Sequence, residues 1–482
     1  MNTQKNAKMQ ILDNDNVKGS LTKLAIPGIL AMLVNAIYNF VDVIFIGQLN
    51  NTLAMGAVSI GFPILLIITG TGLMIGVGSA SYISRSLGAG NYEEANKTAS
   101  IAVTWSLILS ALITVLGIIF IEPILRSMGS TDEVLPYAVE YTRWIIVAAT
   151  FLMINMVLNN LIRAEGKPHI SMISIGMASI LNLILDPIFI FTLDMGVGGA
   201  SFATVVAQGS ATLFLIGYFL RGKSVLSIRF NKVSKKLSAD KEIYKQILKI
   251  GSPVFIMQFL SSVTFGMLNF AAITYGSASM VAAMAIVNKI NMVPSYVFMG
   301  FVQGLQPFAA FNYGAGNIAR LKKAVKFSTI VLVSLAVFFL VVLQTTAGMF
   351  IGLFTKDPVV FELGVNYLKG VTIMTPFVAL TLLYTNLFQS FGKAKQALML
   401  TLGRQTLIFI PMIIVLPKLF ISLPGVLGFT KLLLPYQIQD GLYGVMYAQA
   451  ATDFITVMVT ITLAILLNKE FKKRIADVEN VA

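Results

Sequence analysis

Apolar runs of about 20 residues or more, broken by short polar stretches, recur along nearly the whole chain. Their lengths predict twelve membrane-spanning helices, at about 21–47, 53–81, 95–121, 136–160, 168–192, 197–220, 246–274, 279–305, 322–346, 363–388, 395–420 and 442–467. Proline inside several of these runs does not argue against helix, because neighbouring membrane helices satisfy the freed carbonyl. The first 20 residues are polar and lack the apolar core of a cleavable signal, so they read as a short solvated tail. Residues 468–482 read as a second tail. The segment from Lys418 to Asp440 is longer than the other outer loops, and its weakly amphipathic LPGVLGF core fits a membrane interface.

The polar positions repeat as well. Pro27 matches Pro253, the loop Gly88-Ala89-Gly90-Asn91 matches Gly314-Ala315-Gly316-Asn317, and Gly166-Lys167 matches Gly392-Lys393. All three pairs lie 226 residues apart in the sequence. Three matches at one offset imply duplication of a six-span unit. Six is even, so both units enter the membrane from the same side. The expected fold is therefore an all-α membrane protein of two six-helix lobes, residues 21–221 and 246–467, related by a pseudo-twofold axis along the membrane normal. A basic inter-lobe loop, residues 222–245, divides them.

Composition agrees: 56% of the 482 residues are hydrophobic and 12% charged, against about 25% charged in a soluble chain. Mean hydropathy is +0.82. The net charge of +14 raises nucleic acid as a partner, but the basic residues cluster in short loops between apolar runs. That distribution is a topology signal, and it places both termini in the cytoplasm. The densest group, from Arg221 to Lys249, faces anionic lipid on this reading. Cysteine is absent, which excludes disulfides and thiolate metal sites. Glycines Gly72, Gly76, Gly78 and Gly304 lie inside spans two and eight. GTGLMIGVG lacks the GK[ST] ending of a phosphate loop, so these read as close helix packing. With no HExxH pattern and a single histidine, His169 at a helix start, a membrane-embedded enzyme is not expected.

Three carboxylates lie well inside spans: Asp42, Asp186 and Asp453. Burying an ionised carboxylate in hydrocarbon costs about 2.5–3.5 kcal/mol even on lenient scales, so each acid calls for a reason. Counting about 1.5 Å per residue from the outer helix ends puts Asp42, Tyr141, Asp186 and Thr204 on one level, roughly 8–10 Å below the outer boundary. They come from four helices of the first half. Asn182 is four residues before Asp186 and shares its face. Pro187 leaves the Leu183 carbonyl without its helical donor and bends the helix; Pro27 is a second expected kink. Two acids, an amide, a hydroxyl and a freed carbonyl suit a small hard cation, and equally a proton, because two carboxylates in one apolar pocket cannot both ionise cheaply. Asp453, Lys289 and Arg404 reach similar depth in the second half and form an expected polar cluster, read as a compensating ion pair. Met257, Met292, Phe298 and Met299 are candidates for a compliant pocket lining.

These segments, in this order and spacing, resemble the bacterial branch of the multidrug and toxic compound extrusion (MATE) family. The resemblance runs over about residues 20–467 and rests on IPGILAMLVNAIYNFVDVIFIG, SRSLGAGN, LIRAEGKP, NLILDPIF, GVGGASFAT and QGLQPFAAFNYGAGN. It implies two six-helix lobes forming a V, no cofactor, and antiport of organic cations against protons or sodium ions. It also implies an ion site at Asp42, Asn182, Asp186 and Thr204, with Tyr141 a looser match. Some drug-exporting relatives carry an acid in span four where this chain has Asn159 or Asn160. The expected function is multidrug efflux by a monomer in the cell membrane. The alternative on the same fold is a flippase for a lipid-linked saccharide, which calls for several cationic groups in the cleft.

Overall fold

The computed structural model describes residues 10–13, 16–49, 51–229, 240–422 and 440–479. Among them there is no strand. The first half comprises α1 (Gln10–Asp13), α2 (Val17–Gln48), α3 (Thr52–Gly88), α4 (Tyr92–Ile119), α5 (Ile121–Ser127), α6 (Leu135–Ala164), α7 (Pro168–Pro187) and α8 (Gly196–Leu220). The second comprises α9 (Lys241–Tyr275), α10 (Ala278–Gly314), α11 (Ile318–Thr345), α12 (Ala347–Gly352), α13 (Pro358–Thr372), α14 (Thr375–Ser390), α15 (Ala394–Leu402), α16 (Phe409–Ser422) and α17 (Asp440–Glu479). Among the described residues, 11 helices or helix pairs are long and apolar enough to cross a membrane singly, and the pair α13–α14, bent by 49°, supplies a twelfth. Each expected span finds its helix, most of them longer than hydropathy alone indicates.

The extra length corrects both tails. Residues 10–13 are helical and Leu12 is fully buried. Its side chain packs over Gly166, and its carbonyl accepts a hydrogen bond from Asn312 Nδ2 at 3.3 Å. This part of the N-terminal segment is packed into the protein, not solvated. At the other end α17 continues to Glu479 with Leu467 and Phe471 buried. The LPGVLGF segment and Lys232, Lys235 and Lys236 of the basic loop lie outside the described residues.

The repeat is visible in backbone geometry. Gly90, Gly166, Gly316 and Gly392 all have φ between +73° and +83°, the left-handed conformation that ends a helix with least strain in glycine. They form two pairs at the 226-residue offset. Each turn closes alike: Asn91 N–H donates to Ser86 O (2.8 Å), Asn317 to Asn312 (2.9 Å), Lys167 to Ile162 (3.2 Å) and Lys393 to Phe388 (2.8 Å).

The chain gathers into two compact units whose borders differ from those of the repeat. One holds residues 1–259, 299–324 and 387–394; the other holds 260–298, 325–386 and 395–482. In the first unit α6 is the most buried helix, packed by α3, α4 and α8, while α7 lies between α2 and α8. The glycines of α3 permit this closeness: a Cβ on Gly72 would stand 3.2 Å from Met153 Cα, and one on Gly76 2.7 Å from Asn160 Nδ2. The second unit is built around Met284, Phe409, Phe420 and Tyr443, where α16 and α17 meet.

Part of the basic loop is tied to the first unit through Glu165 of the LIRAEGKP segment. This fully buried carboxylate accepts from Tyr218 Oη (2.8 Å), Ser224 Oγ (2.6 Å) and Val225 N (2.7 Å), with Lys167 Nζ at 3.6 Å. Four partners satisfy a charge that would otherwise be untenable there. The loop residues 222–229 are thus structured, with Ser227 N–H donating to Asn96 Oδ1 and Arg229 N–H to Ser100 Oγ.

Candidate ion-coupling site

Asp186 sits at the buried face of α7 with no solvent exposure. One turn earlier on that face is Asn182, 2% exposed. Opposite both is Thr204 of α8. The Asn182 amide satisfies all its neighbours in one orientation: Nδ2 donates to Asp186 Oδ2 at 2.8 Å and Oδ1 at 3.2 Å, and Oδ1 accepts from Thr204 N at 3.0 Å and Oγ1 at 3.3 Å. The reverse orientation sets carbonyl oxygen against carboxylate. Asn182 is therefore a clamp, joining the acid on α7 to the backbone of α8.

The helix changes character directly after the acid. Proline at 187 supplies no N–H to the preceding turn, and residues Ile188–Thr192 wind as a π-helix. Wider turns of this kind recur at functional sites because they re-aim side chains. The expected bend at Pro187 thus takes the form of a local unwinding. Pro27, the other expected kink, lies inside α2, which is helical on both sides of it. The wide turn is accommodated by Gly199 of α8: a Cβ there would stand 2.7 Å from the Phe189 carbonyl carbon and oxygen and 3.0 Å from Ile190 N. Only glycine lets α8 come this close, and that approach brings Thr204 to Asn182.

Asp42 of α2 completes the pair of acids. Its charge and that of Asp186 act on one another, and both act on Tyr38 and Tyr141. Tyr141 of α6 is buried and packs against Gly61 of α3. Of the five predicted residues, Asn182, Asp186 and Thr204 are joined by hydrogen bonds, while Asp42 and Tyr141 stand on α2 and α6 of the same compact unit, within reach of the Asp186 charge. Tyr38 belongs there too and is absent from the sequence reading. Its signal was present: it precedes Asp42 by four residues and so shares that acid's helix face. Among the described residues no group of three or more acids and histidines gathers to hold a metal ion.

The expected second-half cluster forms only in part. Arg404 lies in a π-turn, Gly403–Leu407, and its Nε donates to Asp453 Oδ1 at 2.7 Å. Gln449 Nε2 also donates to that oxygen at 3.4 Å. Among the described residues Lys289 forms no ion pair with Asp453, whose partner is Arg404. Phe298 is buried against Phe339, with ring centroids 6.0 Å apart, and is a packing residue. On α6, Asn159 is buried and its Nδ2 bonds Asn155 at both oxygens, while Asn160 accepts from Arg163. His169 is exposed.

Two segments, residues 27–188 and 253–415, match the MatE family model. The chain belongs to the MatE family. The matches begin at the two repeat prolines, Pro27 and Pro253, so the family domain occurs twice, as the duplication requires. MatE proteins are MATE transporters, not enzymes, and this chain is a multi-pass membrane protein of that fold. It is 32% identical over 426 residues to the multidrug export protein MepA of Staphylococcus haemolyticus, covering 88% of this chain and 92% of that one. MepA of Staphylococcus saprophyticus is 29% identical over 416 residues, covering 86% and 91%. Among solved structures, an outward-facing multidrug resistance MATE transporter of the MOP superfamily superposes with a TM-score of 0.87 at 26% identity, covering 96% of this chain and 98% of the other. A MOP-superfamily transporter from Pyrococcus furiosus, described as having a binding pocket of reverse polarity, gives 0.85 at 26% identity and the same coverage.

Proposed function

We propose that this protein is a secondary antiporter that exports amphipathic, cationic organic compounds in exchange for a cation bound at the Asp42–Asp186 pocket. The observation that supports the reading is the setting of Asp186: a fully buried carboxylate held by the Asn182–Thr204 clamp beside a π-turn, with a second acid, Asp42, on the neighbouring helix α2. Acids buried this way are costly unless their charge changes during function. The names of the MepA relatives supply the cargo class, small organic drugs.

The mechanism follows from linkage. A gradient drives transport only if the ion binds the inward- and outward-open conformations with different affinity. Asp42 is on α2 and Asp186 on α7, so neutralising either acid relieves repulsion between the two helices and changes their packing. Rocking of the two six-helix halves then releases cargo outward. We take the proton as the coupling ion. In the satisfied orientation Asn182 offers Asp186 N–H donors and commits its own oxygen to Thr204; a sodium ion would need that amide turned around. The basic-loop side, with both termini, faces the cytoplasm, and the protein works as a monomer in the cell membrane. The flippase reading, which calls for several cationic groups in the cleft, is weakened because Arg404 of the second half is already paired with Asp453.

Dye efflux from proteoliposomes under an imposed pH or sodium gradient tests this. Efflux should follow the pH gradient and vanish in Asp42→Asn and Asp186→Asn, with folded protein still in the membrane. Full transport by either variant removes the coupling role; transport driven by sodium alone replaces the proton.

A further inference from the structure

At the end of the first unit that carries the Gly90 and Gly166 turns, α3, α6 and α10 border a small, partly open cavity lined by Ser84, Asn160, Arg163, Gln306 and Pro307. Its free volume of about 10 Å³ admits one particle near the size of a water molecule. The chemistry of the lining is one-sided. Arg163 donates from Nη1 to Ser171 Oγ at 3.2 Å and from Nη2 to Asn160 Oδ1 at 2.9 Å, both neutral oxygens. No carboxylate among the described residues pairs with it. Glu165, nearest in sequence, is taken by Lys167, Tyr218, Ser224 and Val225. Arg163 stands in the last turn of α6, whose carbonyl end favours a cation, and the Ala164 carbonyl there accepts from Ser84 Oγ at 3.0 Å. Gln306 is 7% exposed, and its Nε2 has no hydrogen-bond partner.

A cavity with a guanidinium, a donor amide lacking an acceptor and no acid is complementary to an anion. A water molecule would satisfy the Gln306 donor; an anion would do so and also offset the charge of Arg163, which is half-buried and has no carboxylate partner among the described residues. We infer that this cavity binds a single monatomic anion, a halide such as chloride, held between Arg163 and Gln306. The two ligands come from different repeats, Arg163 from α6 and Gln306 from α10. The ion therefore binds only while these helix ends are together, and its occupancy stabilises that arrangement over any in which they part. Binding is independent of which ion drives transport.

The test uses the purified full-length protein. Thermal unfolding is followed from about 1 to 200 mM sodium chloride or bromide, with sodium gluconate holding ionic strength constant. Tm should rise saturably by roughly 2–4 °C in either halide and not in gluconate. Gln306→Leu, close in volume and without the donor, should weaken the halide response about tenfold; Arg163→Gln should abolish it. Crystals of the wild-type protein grown in bromide should show anomalous density between the two side chains, a readout that does not depend on any variant folding. Equal stability in chloride and gluconate, or a halide response unchanged in both variants, or a cavity holding only water without a bromide signal, overturns the inference.

Discussion

Asn182 holds Asp186: the amide nitrogen of one donates to both carboxylate oxygens of the other, at 2.8 and 3.2 Å, across a single turn of α7. The same amide accepts from Thr204 on α8, so the protonation state of the acid is linked through one side chain to the contact between two helices. A donor aimed at a carboxylate stabilises its charged form. Asn182→Leu removes that donor without adding charge. Ion-driven efflux should fall about ten- to a hundredfold, equivalent to about 1.4–2.7 kcal/mol in the coupling step. Initial rates in proteoliposomes at matched protein density provide the measurement, and an unchanged rate would show that Asp186 works without its clamp.

Gly199 is predicted to be intolerant of any side chain. Its missing Cβ is the space occupied by the Phe189 carbonyl in the π-turn. Gly199→Ala should push α8 outward, separate Thr204 from Asn182 and cost about 1–3 kcal/mol of stability. Transport should suffer beyond the stability loss, so activity and Tm are to be measured together. Gly217→Ala, on the same helix with nothing within 4 Å of the added carbon, is the control and should be silent.

Breaking the Arg404–Asp453 pair should be costly from either side. Asp453 is 4% exposed and Arg404 33% exposed at the side chain, so the penalty falls below that of a fully buried pair, at about 1–3 kcal/mol. Asp453→Asn and Arg404→Met should each lower Tm. Arg404→Met with Asp453→Leu should recover most of the loss, since removing both charges leaves no unpaired group. A double variant as unstable as the sum of the singles would show that the two residues act separately.

Leu12 offers a fourth test, on the N-terminal segment. It is fully buried against the Gly166 turn. Leu12→Ala should cost about 2 kcal/mol or more, the range for emptying a buried leucine site. Leu12→Asp should release residues 10–13 altogether, read out as new protease sensitivity ahead of Val17. Equal Tm and equal proteolysis in wild type and variants would mean the segment contributes nothing.

The duplication and the helix positions were legible in the chain, and so was the i, i+4 pairing of Asn182 with Asp186. Apolar run length sets where helices cross, a constant offset reveals a repeat, and a fixed rise per residue converts sequence distance from a helix end into depth. That one coordinate brought Asp42, Tyr141, Asp186 and Thr204 to a common height, and α-helical spacing added Asn182. It did not distinguish Lys289 from Arg404, which stand at comparable depth although only Arg404 meets Asp453. It also passed over Leu12, whose polar neighbours hide it from hydropathy, and Tyr38, which is one turn from an acid on a helix apolar nearly all round.

Sequence by itself determined the membrane class, the twofold repeat of six spans and the place of each polar residue along its own helix, because these depend on composition and on distance along a single helix. Tertiary structure alone decided which residues at one depth face one another: the Asn182 bridge, the π-turn fitted against Gly199, the Arg404–Asp453 pair and the cavity between Arg163 and Gln306. Each depends on how far a helix is rotated about its own axis. That rotation is set by side-chain packing between segments far apart in the chain, which no local pattern encodes.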